Sequence, residues 1–376
     1  MVKINIHCNF NNNHITFENY WLDKLFFHNT TLVDNINVTE SIRSYNGINF
    51  HIKWGNRIIP EQNSLNILPY GFNNVNEFVK VEQYPNTTWI PVVITGEKIF
   101  KFDKEPHLSS HLKLEDYSQF FKKHEIYSDN VNIKETLTYK NNFLLTNTYF
   151  GWMHKLNMRL MYEFNNIYRK LKFNKKIGYF IYRRTDFRYK LANYLNEIDD
   201  IFVSQYIDPN YKEFIPMENI HQNKLHSNND FNDLLNTKFF ITNNVYWSNL
   251  LDIYFRGLLE SEMYLIDETY SEFENNFTIM NLSEKTYLPI LAKIPFLSTH
   301  SYPLECISKI LDVELHPFYS EIKKVQGNPK LISEFIKIFL SNYTTNLKLC
   351  NDYVTLIHNK YINIIKNENS LLDKIL

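Results

Sequence analysis

Glu268 and Thr269 close an apolar run that begins at Met263. Ser283, Glu284, Lys285 and Thr286 open a helix-spaced stretch that leads into a second apolar run, Pro295 to Ser298. Lys285 therefore falls in the first turn of a helix, beside backbone N–H groups with no intrahelical partner, where phosphate binds readily. Glu284 can accept ligand hydroxyls, and the same carboxylate offsets the helix dipole by ~0.3–1 kcal/mol. Glu268 accepts a ligand hydroxyl or braces its loop. Ser283 and Thr286 donate to phosphate or cap the helix. Upstream, Arg183, Arg184, Arg188 and Lys190 cluster where an apolar strand gives way to a helix. Arginine grips phosphate oxygens bidentately and Lys285 adds a point charge, so these residues can compose a diphosphate clamp. The competing reading is a solvated basic face.

A group that takes a proton from a hydroxyl is a carboxylate or an imidazole, and its contribution is about 10²–10⁴-fold in rate. His14 and Glu18, four residues apart after the first strand, and Glu97, after Gly96, are placed for that work. Each could equally be a surface residue. There is no H-E-x-x-H, no paired C-x-x-C, and no D-x-D at a strand end; Asp199-Asp200 reads as a turn. No metal is expected, and no G-x-S-x-G nucleophile elbow is present.

The elements that position these residues follow from periodicity. Residues 2–8 alternate as a strand, followed by an Asn-rich turn and a helical stretch over about 17–27. Further strands are expected at 49–54, 65–68 and 89–95, and a long amphipathic helix at 151–171. From residue 177 strands and helices alternate: strand 177–182, helix 187–197, strand 201–206, loop 207–228, helix 229–236, strand 238–242, helix 246–260, strand 263–267, helix 284–293, strand 295–298. Such alternation favours a parallel sheet with ligands outside the strand ends. Residues 331–340 and 353–365 read as amphipathic helices. At 376 residues the chain fits two domains. The expected division is an N-terminal Rossmann-like domain over 1–174, a second over 175–330, and C-terminal helices over 331–376.

Composition narrows the class. Lys and Arg number 40 against 41 Asp and Glu, a net charge of −1, which lacks the footprint of a general polyanion binder. Hydrophobic residues make up 44%, with 29 Phe and 26 Tyr, ample for two cores. Three scattered cysteines point to a reducing compartment without a disulfide framework. The opening residues lack the apolar core of a signal peptide, and no run approaches the ~18 apolar residues of a membrane span. A cytoplasmic protein is expected. Abundant Asn, Ile and Lys mark an AT-rich genome, so sequons such as Asn281-Leu282-Ser283 arise by chance.

Taken in order, Glu268, Thr269, Ser283, Glu284, Lys285, Thr286, Pro289, Pro295 and Phe296 form an E-T…S-E-K-T…P…PF pattern. It resembles a group of viral and bacterial glycosyltransferases of the two-Rossmann-domain (GT-B) type, and is more distantly similar to the α1,3-fucosyltransferases. The segment from Gly178 to Lys190 resembles that family's strand and Arg-rich turn, and His316 to Glu321 its following short segment. The resemblance covers roughly residues 176–325. It departs from the pattern at Ser298-Thr299-His300-Ser301, where such proteins usually have a glycine for close backbone approach to a ligand.

The resemblance implies two Rossmann-like domains facing across a cleft, with C-terminal helices packing back on the N-terminal domain. It implies a metal-independent transferase, with no cofactor beyond a nucleotide-sugar co-substrate, moving a sugar to a hydroxyl acceptor. The donor would contact Arg183, Arg184, Arg188, Glu268, Thr269, Ser283, Glu284, Lys285 and Thr286. His14, Glu18 or Glu97 would be the base. The acceptor would be a glycan, a protein or modified DNA, and the cytoplasm that of a host if the chain is viral. Alternatives are a phage enzyme that glycosylates hydroxymethylated bases, a non-catalytic binding or assembly protein that keeps the fold, and a sugar-nucleotide epimerase.

Overall fold

The computed structural model describes residues 1–7, 30–37, 39–55, 63–70, 88–93, 98–100, 112–113, 126–128, 142–144, 173, 175–181, 185–205, 221–222, 261–268, 277–280, 282 and 284–367. The chain divides into two compact units. Unit 1 comprises residues 1–152, 275–281 and 367–376; unit 2 comprises 153–274 and 282–366. Each is an α/β, Rossmann-like unit built on a largely or wholly parallel sheet.

The first sheet contains β1 (Val2–His7), β2 (Thr31–Asn37), β3 (Glu40–Tyr45), β4 (Ile48–Gly55), β5 (Ser64–Tyr70), β6 (Thr88–Val93), β9 (Ile126–Ser128) and β10 (Asn142–Leu144). Their order is β10-β9-β6-β5-β1-β4-β3-β2. All neighbours from β10 to β4 are parallel, whereas β2, β3 and β4 form an antiparallel meander. The β3–β4 turn is Asn46-Gly47, both with positive φ (47° and 79°), the pairing that a two-residue hairpin demands. On β1 and β4 the apolar residues Ile4, Ile6, Phe50, Ile52 and Trp54 are buried at alternate positions. A small second sheet joins β7 (Lys98–Phe100), β8 (Leu112–Lys113) and β15 (Phe277–Met280) in the order β15-β7-β8.

Unit 2 has a five-stranded, wholly parallel sheet of β11 (Lys175–Ile181), β12 (Ile201–Gln205), β13 (His221–Gln222), β14 (Ser261–Ile266) and β16 (Phe296–Ser298). The order is β13-β12-β11-β14-β16. Buried Ile177, Tyr179, Met263, Tyr264, Leu265 and Ile266 make the central strands apolar on both faces, as covered parallel sheets require. Gly178 is needed for close packing: a Cβ there would lie 2.3 Å from Ser261 Oγ and 2.7 Å from the Phe180 ring.

Helix α1 (Asp186–Asn196) follows β11; Thr185 caps it by accepting from the Arg188 N–H. Helix α2 (Glu284–Ala292) precedes β16. Beyond β16 come α3 (Tyr302–Leu311), α4 (Tyr319–Val325), α5 (Pro329–Ser341) and α6 (Tyr343–Asn367). Asn328 caps α5, with Pro329 in its first turn, and α5 packs on α1 through a face that includes Ile332, Phe335, Ile336 and Phe339.

The structure corrects the sequence reading at several places: β2, β3, β7, β8, β9, α3 and α4 were not expected at all. The expected loop 207–228 contains β13, a two-residue strand too short to leave a periodic signal. Phe277–Met280, read as loop, is a strand, because its partner Lys98–Phe100 is remote in sequence. The helices expected over 17–27, 151–171, 229–236 and 246–260 and the strand over 238–242 lie outside the described residues.

Candidate functional site

In unit 2 the chain runs from β11 outward through β12 to β13, then returns to β14 on the other side of β11. The direction of winding reverses between β11 and β14, and open α/β sheets bind ligands outside the carboxyl ends of the strands at such a point. Asp267 and Glu268 directly follow β14 and are 4% exposed. Three further segments converge on Asp267. From α1, Arg188 donates through Nε to its Oδ2 at 2.9 Å and through an Nη to its backbone carbonyl at 3.0 Å. From β11, the Tyr179 hydroxyl donates to Oδ2 at 2.8 Å. From beyond β16, the Thr299 hydroxyl donates to Oδ1 at 2.9 Å.

Burial opposes a charge on Asp267, but the Arg188 guanidinium, the His300 ring and the two hydroxyls hold its carboxyl below the usual value. Burial and the nearby carboxylate push the Tyr179 phenol far up, so it remains a donor. This cluster is a charge-assisted, multiply bonded clasp on the sheet's carboxyl edge.

His300 sits next to it. Its Nδ1 lies 2.9 Å from Thr299 Oγ1. The single Thr299 proton is committed to the ionised Asp267, so His300 Nδ1 carries the proton of its bond. Burial first, then the Arg188 charge, lowers the ring to about 4 against the pull of Asp267, leaving His300 neutral near pH 7. Its Nε2 has no hydrogen-bond partner. His316 is a contrast. It is equally buried and is also pushed down to about 4 by burial, but it donates through Nε2 to the Phe296 carbonyl and accepts at Nδ1 from the Phe318 N–H.

The structure places several expected site residues at this edge. Lys285 lies in the first turn of α2 with only 6% exposed; Thr286, fully buried, donates to Glu268 Oε1. Glu284 opens α2, though its side chain is not among those described. Arg188 is buried on Asp267. Lys190 is on the solvent face of α1, paired with Asp186 at 2.6 Å. His14, Glu18, Glu97, Arg183, Arg184, Thr269 and Ser283 lie outside the described residues.

Unit 1 reaches a similar reversal by another route. From β1 the chain goes to the edge strand β2, comes back through β3 and β4 to the neighbour of β1, and then crosses to β5 on the other side of β1. Across that reversal Asn5 Nδ2 donates to Ser64 Oγ at 2.9 Å and to Asn66 Oδ1 at 3.3 Å, and His7 Nε2 lies 2.8 Å from Asn66 Oδ1. All four are buried. The sequence signal was present: Asn5 and His7 are polar at alternate positions of a strand whose other face is Ile4 and Ile6. Asp267, Thr299 and His300 left no such pattern, because each stands just past a strand end. Among the described residues no His, Cys, Asp and Glu side chains cluster as a metal site, and no helix is long and apolar enough to cross a membrane.

No family model matches the sequence, nor does any curated protein. Among solved structures, sucrose-phosphate synthase from Thermosynechococcus elongatus is similar at 9% identity over 100% of this chain and 99% of its own, with a TM-score of 0.46. UDP-GlcNAc 2-epimerase from Neisseria meningitidis, bound to UDP-GlcNAc, aligns at 10% identity over 97% and 99%, with a TM-score of 0.41. The wall teichoic acid polymerase TagF aligns at 14% over 83% and 77%, with a TM-score of 0.26. At such identities and TM-scores these likenesses carry no argument about activity.

Proposed function

We propose that the chain is a nucleotide-sugar-dependent glycosyltransferase that needs no metal and transfers to a hydroxyl acceptor. The donor is assigned to unit 2 and the acceptor to unit 1. The observation that carries this reading is the S-E-K-T segment at the first turn of α2, with Thr286 tied to Glu268 at the carboxyl end of β14. That puts an ammonium, helix N–H groups and carboxylates beside the reversal of winding, the chemistry that a sugar diphosphate requires. Lys285 with Arg183 and Arg184 neutralises the leaving diphosphate, Thr269 and Ser283 donate to its oxygens, Glu268 and Glu284 accept ligand hydroxyls, and Thr286, whose proton goes to Glu268, holds that carboxylate in place. Arg188 acts through Asp267, fixing the edge on which these residues stand. His14, Glu18 or Glu97 is the base, and the acceptor is a glycan, a protein or hydroxymethylated DNA. The division at 174 and 330 assigns one ligand to each of the first two segments.

A thermal-shift screen with nucleoside diphosphates and their sugar conjugates tests the reading. A ligand at 100 times its Kd adds ~2.7 kcal/mol of apparent stability. No shift with any of them would overturn it.

A further inference from the structure

Buried imidazoles normally satisfy both nitrogens, as His316 does through the Phe296 carbonyl and the Phe318 N–H. His300 satisfies one. Its residue is 1% exposed, and Nε2 is among the few buried polar side-chain atoms, of those described, with no partner. The chain of donors fixes what that atom is. Asp267, charged beside Arg188, only accepts; Thr299 gives it the one proton it has; His300 Nδ1 must therefore donate to Thr299. The remaining nitrogen, on the opposite side of the ring from the Thr299 bond, carries a lone pair. The site wants a hydrogen-bond donor rather than an anion. Phosphate oxygens are thus excluded as its partner, and a hydroxyl fits.

Position agrees with this. His300 lies two residues past the end of β16 and immediately before α3, on the carboxyl edge of the parallel sheet where Asp267 and Glu268 also stand. The Phe187 ring of α1 lies against the imidazole at 5.3 Å and restricts its rotation. Leaving such an acceptor unmade in a protein interior costs about 1–3 kcal/mol, which a ligand hydroxyl would recover on binding.

We infer that His300 is a specificity residue whose Nε2 accepts a hydrogen bond from a hydroxyl of the bound nucleotide sugar. This rests on the donor assignment to unit 2. The hydroxyl belongs either to the ribose or to the transferred sugar, and the two are separable by experiment. His300→Asn keeps an N–H near Thr299 and removes the distal acceptor. The full-length protein and this variant are titrated by calorimetry with UDP, GDP and ADP and with their glucose conjugates. A ribose partner makes the variant lose about tenfold in affinity for the diphosphate and its conjugate alike; a sugar partner confines the loss to the conjugate. Equal affinities of parent and variant for every ligand bound would overturn the inference and leave the donor site standing. If the parent binds none of the six, the donor assignment falls and the inference with it.

Imidazole ¹⁵N spectra of the parent protein give a readout that does not depend on the variant's folding. The signal missing from His300→Asn identifies the ring; if that variant does not fold, His358→Gln removes the other described Nδ1–H imidazole, which donates to the Ile290 carbonyl, and His316 bonds as the opposite tautomer. Saturating ligand should shift its Nε2. An Nε2–H tautomer, or an Nε2 signal that stays still while ligand binds, would refute the assignment.

Discussion

Arg188→Met isolates the physical claim on which the site depends. The side chains of Arg188 and Asp267 are 3% and 2% exposed, and one guanidinium nitrogen lies 2.9 Å from the carboxylate. Without Arg188, Asp267 loses the cation paired with it, and the Tyr179 and Thr299 hydroxyls that bond its carboxylate are neutral. Removing one partner of a buried pair costs ~3–5 kcal/mol, because a desolvated charge is left behind. That is a large part of the ~5–15 kcal/mol that stabilises a domain. Pairing Arg188→Met with Asp267→Leu should restore most of the loss, since an apolar pair of like volume is about neutral there. The pH dependence supplies a second signature. In the parent the Asp267 carboxyl titrates below its unfolded value, so its stabilisation is present above that value and disappears as pH falls through the folded one. In Arg188→Met, burial dominates and the folded value rises above the unfolded one, so the deficit is largest near pH 7 and shrinks as acid protonates the carboxyl. Urea unfolding followed by circular dichroism at pH 7 and pH 5, for both single variants and the double, measures this. A loss under ~1 kcal/mol at pH 7, or a deficit that grows in acid, would refute the clasp.

Further outcomes follow from the same geometry. His316, buried and lowered to about 4 from 6.5, is neutral in the fold, so its contribution is complete above pH 6.5 and lost as pH falls toward 4, about 3 kcal/mol in all; acid titration of His316→Phe should lack that step. Gly178→Ala should destabilise unit 2 by ~1–3 kcal/mol in thermal melts, with Ser261→Gly rescuing only part because the Phe180 ring remains 2.7 Å from the new Cβ. Lys285→Ala should cost ~2.7–4 kcal/mol of transition-state stabilisation, read as kcat/KM, and an unchanged value would remove that lysine from the donor site. His14→Ala or Glu18→Ala should bind donor normally by calorimetry yet lose transfer; if both transfer at the parent rate, Glu97 is tested next.

Much of the fold was legible because its elements are local. Periodicity places β1, β11, β12, β14, α2 and β16 within a few residues of where they stand, and Lys285 and Thr286 lie in the first turn of α2 as helix spacing predicts. The β2–β3–β4 meander was within reach as well, since Asn46-Gly47 is the strongest short-range hairpin signal and both residues have positive φ. What sequence could not supply is pairing at a distance. The β15 strand needs β7, with Ile279 opposite Ile99, and the Asp267 clasp draws on residues 79, 88 and 32 positions away. Arg188 shows the consequence: a charge cluster suggested one solvated patch or one clamp, whereas burial sends Arg188 inward to Asp267 and leaves Lys190 outside.

Each unit places a buried polar network at its reversal of winding, and physics explains the choice. A central parallel strand is covered on both faces, so a polar side chain there is costly unless a neighbouring strand supplies its partner. Winding reverses between β1 and β5 in one unit and between β11 and β14 in the other. At that seam the connections leave in opposite directions, and the strand ends are not roofed by a single crossover. Asn5 and His7 meet Ser64 and Asn66 at one seam; Tyr179 meets Asp267 at the other. The unit 1 network runs within the strands, from Ser64 at the start of β5 to His7 at the end of β1, whereas the unit 2 cluster reaches past the end of β14, and the two differ in charge. Unit 1 offers amides, a hydroxyl and an imidazole, whereas unit 2 offers a guanidinium, carboxylates and the Lys285 ammonium. The proposed assignment, a hydroxyl-bearing acceptor to the first unit and a charged sugar diphosphate to the second, rests on this difference in charge.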